Sequence, residues 1–167
     1  MGLIFLRHTT PDVVKGTCYG MTDLGLAQGF ESEFDKALQS LPSISHIICS
    51  PLARCRQLAE HIADKSRLSV EVHNGLREMD FGRWEMVPWS EVPRAELDEW
   101  ADDFMGARPH GGESVQQLKD RVGEVLDEIS EDTLIVTHSG VIRAAAAITE
   151  HPEGWDIDIK FGCWVRL

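Results

Sequence analysis

Three short apolar segments, each passed on to a stretch of helical spacing, constrain this chain more than any other feature. Residues 3–6 (LIFL) form an unbroken apolar run that stops at Arg7-His8, the pattern of a strand covered on both faces of a parallel sheet. A loop containing Gly, Pro and Thr follows over residues 9–23. Leu26, Phe30, Phe34, Ala37, Leu38 and Leu41 then recur at helical spacing until Pro42. Residues 44–49 read as a second strand, and Ser50-Pro51 as an N-cap with proline at the first helical position, opening a helix through about Ala63. Val70–Val72 is a weak third strand suited to a sheet edge. Ser114 and Gln117 have capping-box spacing, and Val115, Leu118, Val122, Val125 and Ile129 then share one helical face. Residues 133–137 (TLIVT) form another buried-type strand ending at His138, residues 140–149 a helix with four consecutive alanines, and residues 157–167 one or two strands. This alternation predicts an α/β chain: a three-layer α/β/α sandwich around a mostly parallel central sheet.

At 167 residues one domain spanning 1–167 is expected, with residues 74–112 as an insertion carrying one short helix near 91–104. Sixteen basic against twenty-eight acidic residues give a net charge of −12, which disfavours binding to a nucleic-acid backbone. A locally basic cleft can still capture a small anion, because the field inside a cleft need not follow net charge. Cys18, Cys49, Cys55 and Cys163 show no CxxC spacing and read as reduced thiols. The first residues lack a basic leader and a cleavage site, and no run approaches 18 apolar residues. No membrane partner is therefore expected, and the location expected is cytoplasmic. Nothing in the sequence specifies an oligomeric state.

Two of the apolar strands end in residues with chemistry, Arg7-His8 and His138. In open α/β sheets ligands sit beyond the carboxyl ends of the strands, so these distant residues are expected to converge on one pocket. Arg54 would join them from the first turn after the second strand, near a helix N-terminus. Two guanidiniums suit the oxygens of a phosphoryl group, and His8 between them can act as a nucleophile, since nearby cations disfavour its protonated form. Expelling an alkoxide needs an acid. In the segment LREMDFGRWE, Glu78 is the candidate, with Asp80 and Glu85 as rivals on chemistry alone.

The motifs LRHTTP (6–11), SPLARCRQLAE (50–60), LREMDFGRWE (76–85) and VTHSGVIRA (136–144) occur in an order that resembles the histidine phosphatase, or phosphoglycerate mutase-like, superfamily. The resemblance implies that superfamily's α/β/α core. It also implies a phosphohistidine at His8, a phosphoryl group held by Arg7, Arg54 and His138, and Glu78 as proton donor and then base for water, with no metal or other cofactor. Residues 7–26 are similar to the α-ribazole phosphatase branch, which removes phosphate from α-ribazole 5'-phosphate in cobalamin synthesis. Hydrolysis of a small phosphorylated metabolite is the expected function. A broad-specificity small-molecule or sugar phosphatase is the alternative, and a phospho-ligand binding module the third reading. The asparagine that many relatives carry after the Arg-His pair has no counterpart in residues 12–16, and Thr9 is a candidate substitute contact. Trp84, Trp89, Trp100 and Phe104 are expected to pack the insertion's own core rather than wall a pocket.

Overall fold

The computed structural model describes residues 2–130 and 132–167. The chain runs β1 (Ile4–Arg7), α1 (Phe30–Ser40), β2 (His46–Cys49), α2 (Ala53–Ser66), β3 (Val70–Val72), α3 (Arg94–Asp102), α4 (Val115–Glu128), β4 (Thr133–Thr137), α5 (Ser139–Ile148) and β5 (Trp164–Arg166). Among the described residues the five strands form one sheet ordered β3-β2-β4-β1-β5, parallel except for β5, which runs antiparallel to β1.

Side chains alternate across the sheet, so a strand that is apolar throughout must be covered twice. Ile4 and Leu6, Ile47 and Cys49, and Leu134 and Val136 share one cluster with Phe34 and Ala37 of α1 and Leu58, Ala59 and Ile62 of α2. The intervening Phe5 and Ile135 join the other, with Val115, Leu118, Val122 and Val125 of α4 and Val141, Ile142, Ala144 and Ala145 of α5. The result is the three-layer sandwich that the alternation predicts. Among the described residues no helix is long and apolar enough to cross a membrane. Cys18, Cys49 and Cys55 are buried free thiols and Cys163 is an exposed one.

Several boundaries differ from those the spacing predicts. The first helix begins at Phe30, not Leu26. Gly29 takes a left-handed conformation at its start (φ 86°), while backbone bonds from Asp12 to Gly25 and from Ala27 to Thr10 hold residues 25–27 in an extended pairing. The second helix opens at Ala53 with Leu52 at the cap position. Ser50 therefore does not cap it, being engaged in the site described below. The insertion's helix is Arg94–Asp102, joined by single 3-10 turns at Asn74–Leu76, Gly82–Trp84 and Trp89–Glu91. Residues 157–163 are a loop rather than a strand, leaving β5 three residues long. The capping box of Ser114 and Gln117 is present in both directions.

One fork ties the insertion to the sandwich. From α4, Arg121 donates Nε to Glu113 Oε1 at 2.6 Å and Nη2 to Glu113 Oε2 at 2.9 Å. Its Nη1 donates to the carbonyls of Gly75 (2.6 Å) and Arg77 (2.8 Å), and Nη2 also reaches the carbonyl of Glu78 at 3.2 Å. Planar guanidinium geometry is what lets one side chain meet a carboxylate and three carbonyls together. Arg121→Met keeps the length and loses every one of these bonds, so it should lower stability by about 2–4 kcal/mol. The urea midpoint reads this. Arg121→Lys should recover little of the loss, because an ammonium has no fork; full recovery would mean that charge alone matters.

Candidate active site

β1 and β4 are neighbours with Arg7 in register with Thr137, so the residues that follow, His8 and His138, emerge side by side at the carboxyl edge. The backbone continues the pairing, His8 N–H donating to the Thr137 carbonyl at 3.0 Å, and the two imidazole centroids lie 5.2 Å apart. On the far side of β4, Ser50 leaves β2 with its N–H on the Val136 carbonyl. Its hydroxyl lies 2.8 Å from His138 Nε2, and Cys55 Sγ lies 3.4 Å from the same nitrogen.

The tautomer of His8 follows from its surroundings. Nδ1 lies 2.7 Å from the Thr9 carbonyl, which can only accept, so Nδ1 carries the hydrogen and Nε2 keeps its lone pair. Burial, then the Arg54 charge, and to a lesser extent Arg7, push the His8 pKa down to about 3 against the pull of the Thr9 bond. The ring is neutral at any ordinary pH. His138 is likewise held well below the usual histidine value, first by burial and then by the charges around it.

Arg54 rises from the first turn of α2 and is fully buried. Its Nη1 donates to the Thr22 carbonyl (2.8 Å) and its Nη2 to the Gly20 carbonyl (2.6 Å), while Nε has no partner. Arg7 donates Nη1 to the Ile159 carbonyl at 2.8 Å, with its guanidinium 4.0 Å from the centre of the Phe161 ring, and its Nε is also buried without a partner. Thr9 Oγ1 is a third buried polar atom without one. Thr9 does not line the cavity described next. Its contact here is through the main chain, which sets the His8 ring. Buried donors left unsatisfied are costly, and two of the three belong to cations beside a neutral imidazole, an arrangement an anion would complete.

A cavity of about 470 Å³ opens here with Arg7, His8 and Glu78 in its wall, while Arg54 and His138, like Thr9, lie buried behind that lining. Glu78 is mostly buried. Its Oε1 accepts from the Met79 N–H (2.9 Å) and its Oε2 from the Gly140 N–H (3.0 Å) in the first turn of α5. A Cβ at Gly140 would displace the Glu78 carboxylate from this position. The two rivals are otherwise engaged: Asp80 Oδ1 accepts from Gly82 N–H at 2.8 Å, and Glu85 is consumed by the 20–22 loop. Geometry thus leaves Glu78 alone of the three facing the cavity.

Six aromatic side chains make up much of the remaining wall, with Arg143 and several small or aliphatic residues among them. Tyr19, Phe81, Trp89, Trp100, Phe104 and Trp155 line it, several in edge-to-face contact: Phe81 with Trp89 (5.9 Å), Phe81 with Trp100 (6.1 Å) and Phe104 with Trp155 (5.5 Å). The expected division of aromatics is therefore corrected. Trp84 is core, buried beside Cys18 and Val92; Trp100 packs against that cluster while also lining the cavity; and Trp89 and Phe104 face the cavity. Burial raises the Cys18 thiol to about 12, as for a packing residue. Among the described residues no group of three or more His, Cys, Asp or Glu is placed to hold a metal ion. Tyr19, Arg121, Trp155 and Phe161 are additions that no periodicity or spacing singles out, and Ser50, read from the sequence as a helix cap, is a fifth.

A family model described as the histidine phosphatase superfamily (branch 1) matches residues 3–167. The adenosylcobalamin/alpha-ribazole phosphatase of Escherichia coli (strain K12) is 29% identical over 186 residues, covering 100% of this chain and 89% of the relative. The glucosyl-3-phosphoglycerate phosphatase of Mycobacterium tuberculosis (strain H37Rv) is 28% identical over 165 residues, covering 87% and 73%. Among solved structures, the alpha-ribazole phosphatase of Shigella flexneri superposes with a TM-score of 0.85 at 26% identity, over 98% of this chain and 88% of that one. A mycobacterial glucosyl-3-phosphoglycerate phosphatase gives 0.82 at 25% identity, over 97% and 87%. With its paired histidines, its arginines and its carboxylate built on the sheet edge, the chain belongs to the histidine phosphatase superfamily, branch 1.

Proposed function

We propose that this phosphomonoesterase acts through a phosphohistidine on His8 and that its substrate is an ester with a flat aromatic body, α-ribazole 5'-phosphate being the best match. The observation that carries the substrate reading is the group of six aromatic side chains that share the cavity wall with His8 and Glu78. The likeness to alpha-ribazole phosphatases from two organisms supports it.

The chemistry follows from the tautomer and the charges. The free lone pair of His8 Nε2 attacks phosphorus while Arg7, Arg54 and His138 hold the phosphoryl oxygens. The P–O ester bond breaks, and the leaving oxygen takes its proton from Glu78. The Glu78 carboxylate then accepts a proton from water, whose oxygen attacks phosphorus. The P–N bond breaks, releasing phosphate and restoring His8 with its lone pair. Thr9 keeps Nε2 directed at phosphorus by accepting from Nδ1. Its hydroxyl is buried and lies outside the cavity wall.

A second reading is a phosphatase of sugar or acid phosphates. It is favoured by Arg143, a cation in the cavity wall whose Nε is held by the Ile157 carbonyl at 3.1 Å, and by the likeness to glucosyl-3-phosphoglycerate phosphatases.

Three measurements test these statements. His8→Ala should abolish turnover of 4-nitrophenyl phosphate, by about 10³-fold or more, and the phosphoenzyme trapped by acid quench should vanish. Turnover surviving the substitution would remove the nucleophile assignment. Glu78→Gln should slow alkyl esters by about 10²–10⁴-fold and 4-nitrophenyl phosphate much less, since a good leaving group needs little acid. Equal losses for both would count against the acid role. On a substrate panel kcat/KM for α-ribazole 5'-phosphate should exceed that for sugar phosphates by about tenfold, and Phe104→Ala should erase most of that margin. A flat panel would favour the second reading.

A further inference from the structure

We infer that Glu85 is a positioning residue for phosphoryl binding, holding the 20–22 loop so that the loop's carbonyls fix Arg54; this rests on the phosphoryl-holding role proposed for Arg54. The carboxylate takes four donors from that loop and a fifth from Phe81. Oε2 accepts from Gly20 N–H (2.9 Å), from Thr22 N–H (3.4 Å) and from the Thr22 hydroxyl (2.7 Å), and Oε1 from Met21 N–H (2.9 Å) and Phe81 N–H (3.2 Å). The same short segment turns its carbonyls the other way, where Gly20 and Thr22 receive the two Nη atoms of Arg54. Amides on one side and carbonyls on the other make the loop a spacer, one peptide thick, between an anion and a cation.

The spacing has a chemical reason. A carboxylate paired directly with Arg54 would compete with a phosphate dianion for the guanidinium, whereas neutral carbonyls fix its orientation and leave its charge available. They also leave Nε free: it is buried and without a partner. The loop has no slack on its other side. A Cβ on Gly20 would run into the Met79 carbonyl and the Phe81 ring, so the loop lies pressed against the segment that carries Glu78. Tyr19, one residue upstream, then stands with its ring 5.4 Å from the Arg54 guanidinium carbon. Releasing Glu85 therefore loosens the carbonyls that hold Arg54, while Glu85 itself makes no bond to His8 or Glu78.

A double-mutant cycle on the full chain tests this, with inorganic phosphate as the probe and its Kd read directly by titration calorimetry, which needs no turnover. Glu85→Gln is the informative change, because an amide offers an NH2 toward donors whichever way it turns. Phosphate binding should weaken about tenfold in Glu85→Gln and about a hundredfold in Arg54→Met, while Glu85→Gln should add less than about twofold in the Arg54→Met background. Thr22→Val removes a single donor and should weaken binding about threefold in the same direction, which keeps the test intact if Glu85→Gln does not fold. Glu85→Gln and Arg54→Met losses that simply add, or a Thr22→Val protein with native affinity, would overturn the inference. An Arg54→Met protein with native phosphate affinity would instead overturn the role of Arg54 itself.

Discussion

The parallel pairing of β1 with β4 is the interaction on which the rest depends. Arg7 meets Thr137 in register, and a shift of one residue would turn every side chain of β1 to the opposite face. With the register held by Ile4, Leu6 and Phe5 on their two cores, His8 and His138 have no freedom to separate. The site is in this sense a product of the hydrophobic pattern: two covered faces leave one register, and that register places two imidazoles at one edge.

Charge is then handled by backbone as much as by side chains. A chain of net charge −12 concentrates two guanidiniums beside two neutral histidines. Arg54 is held by Gly20 and Thr22 and Arg7 by Ile159, carbonyls in each case. The acids nearby serve elsewhere: Glu85 gathers the amides of the 20–22 loop, and Glu113 pairs with Arg121, which in turn holds the carbonyls of residues 75, 77 and 78. Neither guanidinium is thus bonded directly to a carboxylate, in a place where burial makes each interaction stronger than it would be in water.

Much of the sandwich was legible in the sequence because it obeys local rules. Unbroken apolar runs marked β1 and β4, the Ser114–Gln117 capping box marked the start of α4, and the ends of strands pointed to Arg7, His8 and His138. Ser50 misled for an instructive reason. A serine before a proline after a strand has the local look of a helix cap, yet its hydroxyl is drawn to His138, eighty-eight residues away. Phe161, Trp155 and Arg121 were invisible for the same cause, since a long-range contact to a carbonyl or a ring leaves no periodic trace. Glu78, Asp80 and Glu85 are equal on paper. Only the neighbours of each carboxylate separate them.

The orientation of His8 is set by the main-chain oxygen of residue nine, an atom present whatever amino acid stands there. A substitution at that position can therefore change the buried side chain while leaving the imidazole's aim intact. Divergent sequences can in this way exchange one polar neighbour for another and keep the same reactive nitrogen, an economy open to any protein that sets a key tautomer by peptide oxygen rather than by a replaceable functional group.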